Sequence, residues 1–387
     1  MVQYVWQGPS WPDFRWDSAS LLRPLGKARQ AQGKLLGEGE YFGLEIEADV
    51  LTDEAFTTAA IEGERLDRDS VRSSVARRLG LPTAGLPPTE RHVDGLVEML
   101  VDATRNYRAP LTPSRLKGWH AALFPTGYSG LNRIPVGEWR QAGEPMQVIS
   151  GPIGKEKVHY KAPPADRVAG EIERFLEWFR TSRGEVDGLV RAAVAHFWFV
   201  TIHPFQDGNG RIARAITDMA LAQDEDTGCR LYSMSAQIKA ERDHYYEILE
   251  RAQKGTGDIN EWIVWFLACL ERAIRRSDRE VQKIMNKARL WQNIADLGLN
   301  ERQRKVINRL VEAGRGGFEG GLTNRKYRGI TNTTRETAKR DIADLVAKGI
   351  LVKNPGGGRS ASYDLAWATS PAMSRSSSAI KRMLPAS

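Results

Sequence analysis

Residues 203–214 read His-Pro-Phe-Gln-Asp-Gly-Asn-Gly-Arg-Ile-Ala-Arg, which places a base, a carboxylate, a glycine-rich turn and two arginines in one short segment. These are the parts of a site that handles phosphate. Glycine tolerates positive φ and close backbone approach, so the N–H groups of Gly208, Asn209, Gly210 and Arg211 can converge on one anion. A helix starting there adds unpaired N–H groups and a positive dipole end, with Arg211 and Arg214 as charge partners for a di- or triphosphate. Asp207 would repel that anion unless a cation lay between them, and Mg²⁺ bridging carboxylate and phosphate oxygens resolves the conflict. His203 has the one side chain that ordinarily titrates near neutrality, which suits removal of a proton from an attacking hydroxyl. Pro204 then holds the loop and Phe205 anchors it in the core.

The flanking sequence says how such a loop is carried. Residues 189–202 are mostly apolar and free of proline, as in a buried helix, and a helical period resumes over 211–223, so the loop joins two helices. Upstream, residues 53–64 read as a helix with an acidic start and with Gly63 as its stop. Between these segments, 133–140, 146–150 and 158–162 alternate around Gly151, Pro152 and Gly154, the pattern of a β-hairpin. Downstream, 232–255 and 260–276 read as helices, the second with Trp262, Trp265, Phe266 and Leu270 at core spacing.

At residues 203–214 the chain resembles the Fic family, whose signature His-x-Phe-x-Asp/Glu-Gly-Asn-Gly-Arg-x-x-Arg is matched at every fixed position. The resemblance implies a mainly α fold, a helical bundle with a β-hairpin flap, and an enzyme that moves AMP from ATP to a Ser, Thr or Tyr hydroxyl of a target protein, releasing pyrophosphate. By position it implies His203 as general base, Asp207 as Mg²⁺ ligand and Asn209 as a phosphate-orienting side chain. Gly208 and Gly210 become the backbone anion hole, and Arg211 and Arg214 the contacts to the outer phosphates. Kinase-like relatives carry Lys where Gly210 stands, which favours nucleotidyl over phosphoryl transfer. Thr58-Ala-Ala-Ile-Glu62-Gly63 resembles the family's inhibitory motif, Ser/Thr-x-x-x-Glu-Gly/Asn. That implies an ion pair between Glu62 and Arg214 where the γ-phosphate of ATP would lie, and a resting enzyme inhibited in cis. The hairpin is implied to be the flap that docks the target by main-chain pairing, through Val148, Ile149 and Ser150. Tyr245 and Tyr246 are candidates for the adenine pocket. Removal of AMP by the same loop, or transfer of another nucleotide-derived group, is the alternative chemistry. Many relatives form homodimers and modify themselves, so the chain itself is among the implied targets.

At 387 residues with 41% hydrophobic content, the chain can build two or three domains with full cores. Two isolated cysteines, Cys229 and Cys269, exclude a disulfide framework or a zinc site. The first residues lack a secretory pattern and no apolar run reaches a membrane span, so a cytoplasmic protein without a membrane partner is expected. The net charge of +8 is uneven, because residues 301–387 hold 17 Lys and Arg against 7 Asp and Glu. That tail shows helical runs at 300–313, 322–329 and 333–348, then strands at 349–353 and 360–365. The order resembles a winged helix-turn-helix whose third helix presents Thr333, Thr334, Arg335, Lys339 and Arg340, with Arg359 on the wing tip. DNA and protein compete as its partner: the basic residues favour DNA, while Glu336, Asp341 and Asp344 on the same helix oppose it. A DNA-binding regulator with a Fic sensor domain is therefore the non-enzyme alternative. The expected organisation is an aromatic leader over 1–40 (Trp6, Trp11, Phe14, Trp16) packed on the core, an inhibitory helix region over 41–90, a catalytic core over 91–290, the winged helix over 291–368 and a flexible tail over 369–387.

Overall fold

A computed structural model describes residues 4–37, 43–83, 85–143, 145–150, 157–294, 297–314, 317–355 and 361–366. The expected hairpin-turn residues Gly151, Pro152 and Gly154, the wing-tip Arg359 and the tail 369–387 lie outside the described residues. Among the described residues the fold is mainly α, with fourteen α-helices and three two-stranded sheets. The chain divides into two compact units, Met1–Asp278 and Arg279–Ser387. No helix among the described residues is long and apolar enough to cross a membrane.

In order, the elements begin with α1 (Ser18–Gly37), α2 (Leu44–Ile61), α3 (Arg68–Leu79), α4 (Arg91–Arg105) and α5 (Pro113–Leu123). Four short strands follow: β1 (Tyr128–Ser129), β2 (Asn132–Arg133), β3 (Gln147–Ser150) and β4 (Lys157–Lys161). Then come α6 (Val168–Thr181), α7 (Gly188–Ile202), α8 (Asn209–Glu225), α9 (Met234–Ala240), α10 (Arg242–Gln253) and α11 (Asn260–Ile294).

The first unit is built around α7. Every residue from Leu189 to Ile202 is buried, so its apolar sequence needs no polar face. Asp187 starts it by accepting from the Leu189 N–H (2.9 Å) and Val190 N–H (3.4 Å). Its partner α8 packs along it, and α2 packs against α3, α4, α8 and α9. The α2–α9 contact has a polar anchor: the buried Glu54 carboxylate accepts from Ser233 Oγ (2.7 Å), the Ser235 N–H (3.1 Å) and Ser235 Oγ at the start of α9. A buried carboxylate needs such donors, and a helix N-terminus supplies them. The N-terminal aromatics lie on the same core, with Trp11 and Phe14 edge-on to Trp198 at 6.2 and 5.5 Å between ring centroids.

Two sequence expectations are corrected. Residues 232–255 form two helices, α9 and α10, because the backbone leaves helical geometry at Glu241 (φ −116°, ψ 26°). Among the described residues, only Arg133 of the 133–140 segment lies in a strand, β2, which pairs with β1; the main hairpin is β3 with β4 in antiparallel register, Val148 opposite Tyr160.

In the second unit, α12 (Glu301–Ala313), α13 (Asn324–Thr331) and α14 (Arg335–Ala347) precede the antiparallel pair β5 (Leu351–Lys353) and β6 (Tyr363–Leu365). Asn300 and Gln303 form a capping box at the start of α12, and Thr334 caps α14. Val306, Ile307, Leu310, Tyr327, Ala338, Ile342, Leu345 and Leu351 make this unit's own core.

Candidate active site

His203 caps the C-terminus of α7, and its φ of 52° and ψ of 58° turn the chain into the loop. The ring is fixed by Nδ1, which lies 3.1 Å from the Val200 carbonyl oxygen. A carbonyl can only accept, so Nδ1 carries the proton and the neutral ring keeps its lone pair at Nε2. Burial pushes the His203 pKa from 6.5 down to about 4, and the Arg140 guanidinium pushes the same way, against the Val200 bond and the carboxylates of Glu62 and Asp207. A base must be unprotonated to act, so the acid limb of a reaction using His203 moves down from 6.5 toward 4. Turnover should therefore stay level between about pH 5.5 and about pH 7.5. A kcat/KM profile with its acid limb near 6.5 would show that the working ring is not desolvated.

The loop is closed by side chains on either side of it. Phe205 is fully buried and stacks on His120 at 4.3 Å and 8° between ring planes, with Trp139 at 4.8 Å. His120 Nδ1 accepts from the Gly137 N–H at 3.0 Å, and burial pushes its pKa down to about 4, so it is a neutral wedge under the loop. Asn209 bridges its own loop: Oδ1 accepts from the Phe205 N–H and Nδ2 donates to the Phe205 carbonyl, each at 2.9 Å. The buried carboxamide of Asn209 thus holds the loop's shape.

Asp207 faces the other way. It accepts from the Gly208 N–H at 2.5 Å and from Ser129 Oγ on β1, and it stands 3.9 Å from Arg211. Among the described residues no group of three His, Cys, Asp or Glu side chains converges as for an ion held by protein alone. A single partly exposed carboxylate nevertheless suits Mg²⁺, which keeps several waters and completes its octahedron with phosphate oxygens.

Gly208 (φ 78°) is the N-cap residue of helix α8, which carries Arg211 and Arg214 three residues apart on one face. Arg214 is 2% exposed and donates through Nε to Thr58 Oγ1 (2.6 Å) and through Nη2 to the Thr58 carbonyl (3.1 Å) and Glu62 Oε1 (2.7 Å). Glu62 is the C-terminal cap residue of α2, so helix α2 delivers both partners of Arg214. A Cβ added at Gly210 would lie 2.2 Å from Glu62 Oε1, so the close approach of that carboxylate requires glycine.

The hairpin is tied to the loop by a residue that the sequence pattern did not single out. Arg140 is buried; its N–H donates to the Pro204 carbonyl (2.9 Å), and its guanidinium donates to the carbonyls of His203 (2.8 Å), Ile202 (3.4 Å) and Pro163. Tyr160 on β4 adds a 2.6 Å bond from its hydroxyl to the Thr201 carbonyl. On the partner strand β3, Val148 is half-buried and Ile149 is 55% exposed; Ser150 completes the strand. Tyr245 is buried, its hydroxyl 3.0 Å from His196 Nε2. Tyr246 stays half-buried beside it, with Arg242 over its ring at 5.0 Å.

A neutral histidine at the end of one helix, a carboxylate beside it and two arginines on the next helix are the arrangement of a Fic fold. The Fic/DOC family matches residues 110–221, and a domain of unknown function, DUF4172, matches residues 4–81. The protein adenylyltransferase Fic of Drosophila mojavensis is 30% identical over 164 residues, 41% of this chain and 31% of its own. That of Nematostella vectensis is 33% identical over 114 residues, 29% of this chain and 25% of its own. The chain thus spans a quarter to a third of the length of these curated relatives. The crystal structure of a Fic family protein from Desulfovibrio desulfuricans G20 matches in fold with a TM-score of 0.54 at 18% identity, over 92% of this chain and 98% of that one. Residues 110–221 of the chain thus form a Fic/DOC family domain, and the chain has the Fic fold.

Proposed function

We propose that this chain transfers AMP from ATP to a Ser, Thr or Tyr hydroxyl of a target protein, and that Glu62 restrains the reaction. The observation that carries this reading is the convergence of an unprotonated His203 Nε2, the N-terminus of α8 and the two motif arginines on one loop. His203 Nε2 takes the proton of the target hydroxyl as its oxygen bonds to the α-phosphorus. The bond from that phosphorus to the bridging oxygen breaks, and pyrophosphate leaves with the electron pair. The α8 N-terminus and Arg214 hold phosphate oxygens, and the target lies along β3 of the hairpin that Arg140 positions. Mg²⁺ at Asp207 would neutralise charge on the phosphates. Asp207→Asn keeps the shape of that side chain and removes its charge. Label transfer from α-labelled ATP should fall roughly a hundredfold in this variant and lose its Mg²⁺ dependence. Unchanged transfer would remove Asp207 from the reaction.

A second reading concerns Arg279–Ser387 and favours duplex DNA as its partner, with this unit read as a winged helix. Two of the three acids that oppose a DNA face on α14 are engaged elsewhere. Asp341 is buried against Arg302 (2.9 Å) and the Tyr327 hydroxyl (2.9 Å), and Asp344 accepts from Lys348 (2.7 Å) and Gln303 (2.7 Å). Arg335, Lys339 and Arg340 are exposed, accompanied on α14 by Glu336, and Arg325 and Arg328 are exposed on α13. The full chain should then retain a DNA duplex with an affinity that falls steeply between about 50 and about 200 mM salt, and Arg340→Glu should weaken it. Retention that ignores both salt and the variant would exclude DNA.

A further inference from the structure

Arg211 has the same kind of partner as Arg214. Its Nη1 lies 3.1 Å from Glu64 Oε2, and its side chain is 8% exposed while that of Glu64 is 34% exposed. Exposed ion pairs contribute little, but a guanidinium this far from solvent holds a carboxylate more firmly. The geometry follows from the chain. Gly63 adopts a φ of 83°, the Gly63 N–H donates to the Ala60 carbonyl (3.3 Å) and the Glu64 N–H to the Ala59 carbonyl (3.1 Å). The chain turns back at the end of α2, and the carboxylates at 62 and 64 reach the arginines at 214 and 211. Arg211 also keeps an unmet need: its Nε is buried with no hydrogen-bond partner among the described residues, while the guanidinium lies 5.0 Å from the Phe124 ring. A buried donor without an acceptor is costly, and an incoming anion would satisfy it.

We propose that Glu64 is a second residue competing with the nucleotide, acting on Arg211 as Glu62 acts on Arg214, so that outer phosphates must displace two carboxylates. This rests on the reading of Arg211 and Arg214 as phosphate contacts. Two locks on neighbouring arginines make release of Glu62 alone incomplete. Glu64 also stands 3.8 Å from His92, and its proposed action through Arg211 is on ligands that carry outer phosphates.

The test compares the full chain with its Glu64→Gln, Glu64→Ala, Glu62→Gly and Glu62→Gly/Glu64→Gln variants, titrated with Mg-ATP and, separately, with AMP. Glu64→Gln should tighten ATP roughly tenfold in the Glu62→Gly background and leave AMP unchanged. Glu64→Ala should behave alike. An unchanged ATP affinity in both Glu64 variants, with Glu62→Gly still tightening ATP, would overturn the proposal and leave the role of Glu62 standing. Equal changes for ATP and AMP would overturn it too, because they would mark Glu64 as structural support. If neither Glu62→Gly nor the double variant tightens ATP, the reading of the arginines fails first, and the proposal falls with it.

Discussion

Glu62→Gly should bind ATP about ten to a hundred times more tightly than the wild-type chain. The ion pair at 2.7 Å ties Glu62 to a guanidinium that is 2% exposed. A hydrogen bond to a charged group contributes about 1.5–3 kcal/mol, and each 1.4 kcal/mol is about tenfold in affinity. A phosphate that replaces the carboxylate must first break that bond, so removing Glu62 returns the difference to nucleotide binding. The same change has a cost in the empty protein. Arg214 keeps its two bonds to Thr58 but loses its neutralising charge, and an uncompensated buried cation destabilises. The variant should melt below wild type without nucleotide and recover with it, because a ligand that binds only the folded state adds stability. Calorimetric titration with ATP and a melting curve at each nucleotide level check both halves. Equal ATP affinity in the two proteins would mean that Glu62 does not obstruct the site.

His203→Ala, made in the Glu62→Gly background, should slow AMP transfer by about 10² to 10⁴ while leaving ATP affinity nearly unchanged. That range is what a positioned general base contributes. The separation follows from the position of the ring: Nδ1 is engaged with Val200, and the phosphates are read by the α8 N-terminus and Arg214. Single-turnover rates at saturating ATP, beside the titration, separate chemistry from binding. A parallel loss of affinity would show that His203 holds the nucleotide, and an unchanged rate would remove it as the base.

What was legible in the sequence had local causes. The helix-loop-helix around 203–214 follows from an apolar run, a glycine-rich break and a renewed helical period, all within one stretch of chain. The contact of Glu62 with Arg214 was readable only through the resemblance of Thr58 to Gly63 to an inhibitory motif. What was hidden depends on partners distant in sequence. Arg140 looked like the end of a hairpin strand, yet it crosses 63 residues to bond the His203 carbonyl. Ser129 reaches Asp207 across 78 residues, and Glu64 reaches Arg211 across 147. No periodicity records such pairs. The bond from Tyr245 to His196, on a helix read as simply apolar, is another such pair. At short range, the closure of the loop by Asn209 on Phe205 was equally hidden. In the second unit, capping and apolar spacing set the helices, but the inward turn of Asp341 depended on Arg302 and Tyr327.

AMP transfer by His203 under restraint by Glu62 is tested by incubating wild type, Glu62→Gly and Glu62→Gly/His203→Ala with α-labelled ATP and Mg²⁺ and counting label on protein. Wild type should carry little label, the single variant more, and the double variant none above background. Label that persists without His203, or ATP bound by all three proteins with none of them labelled, would contradict it.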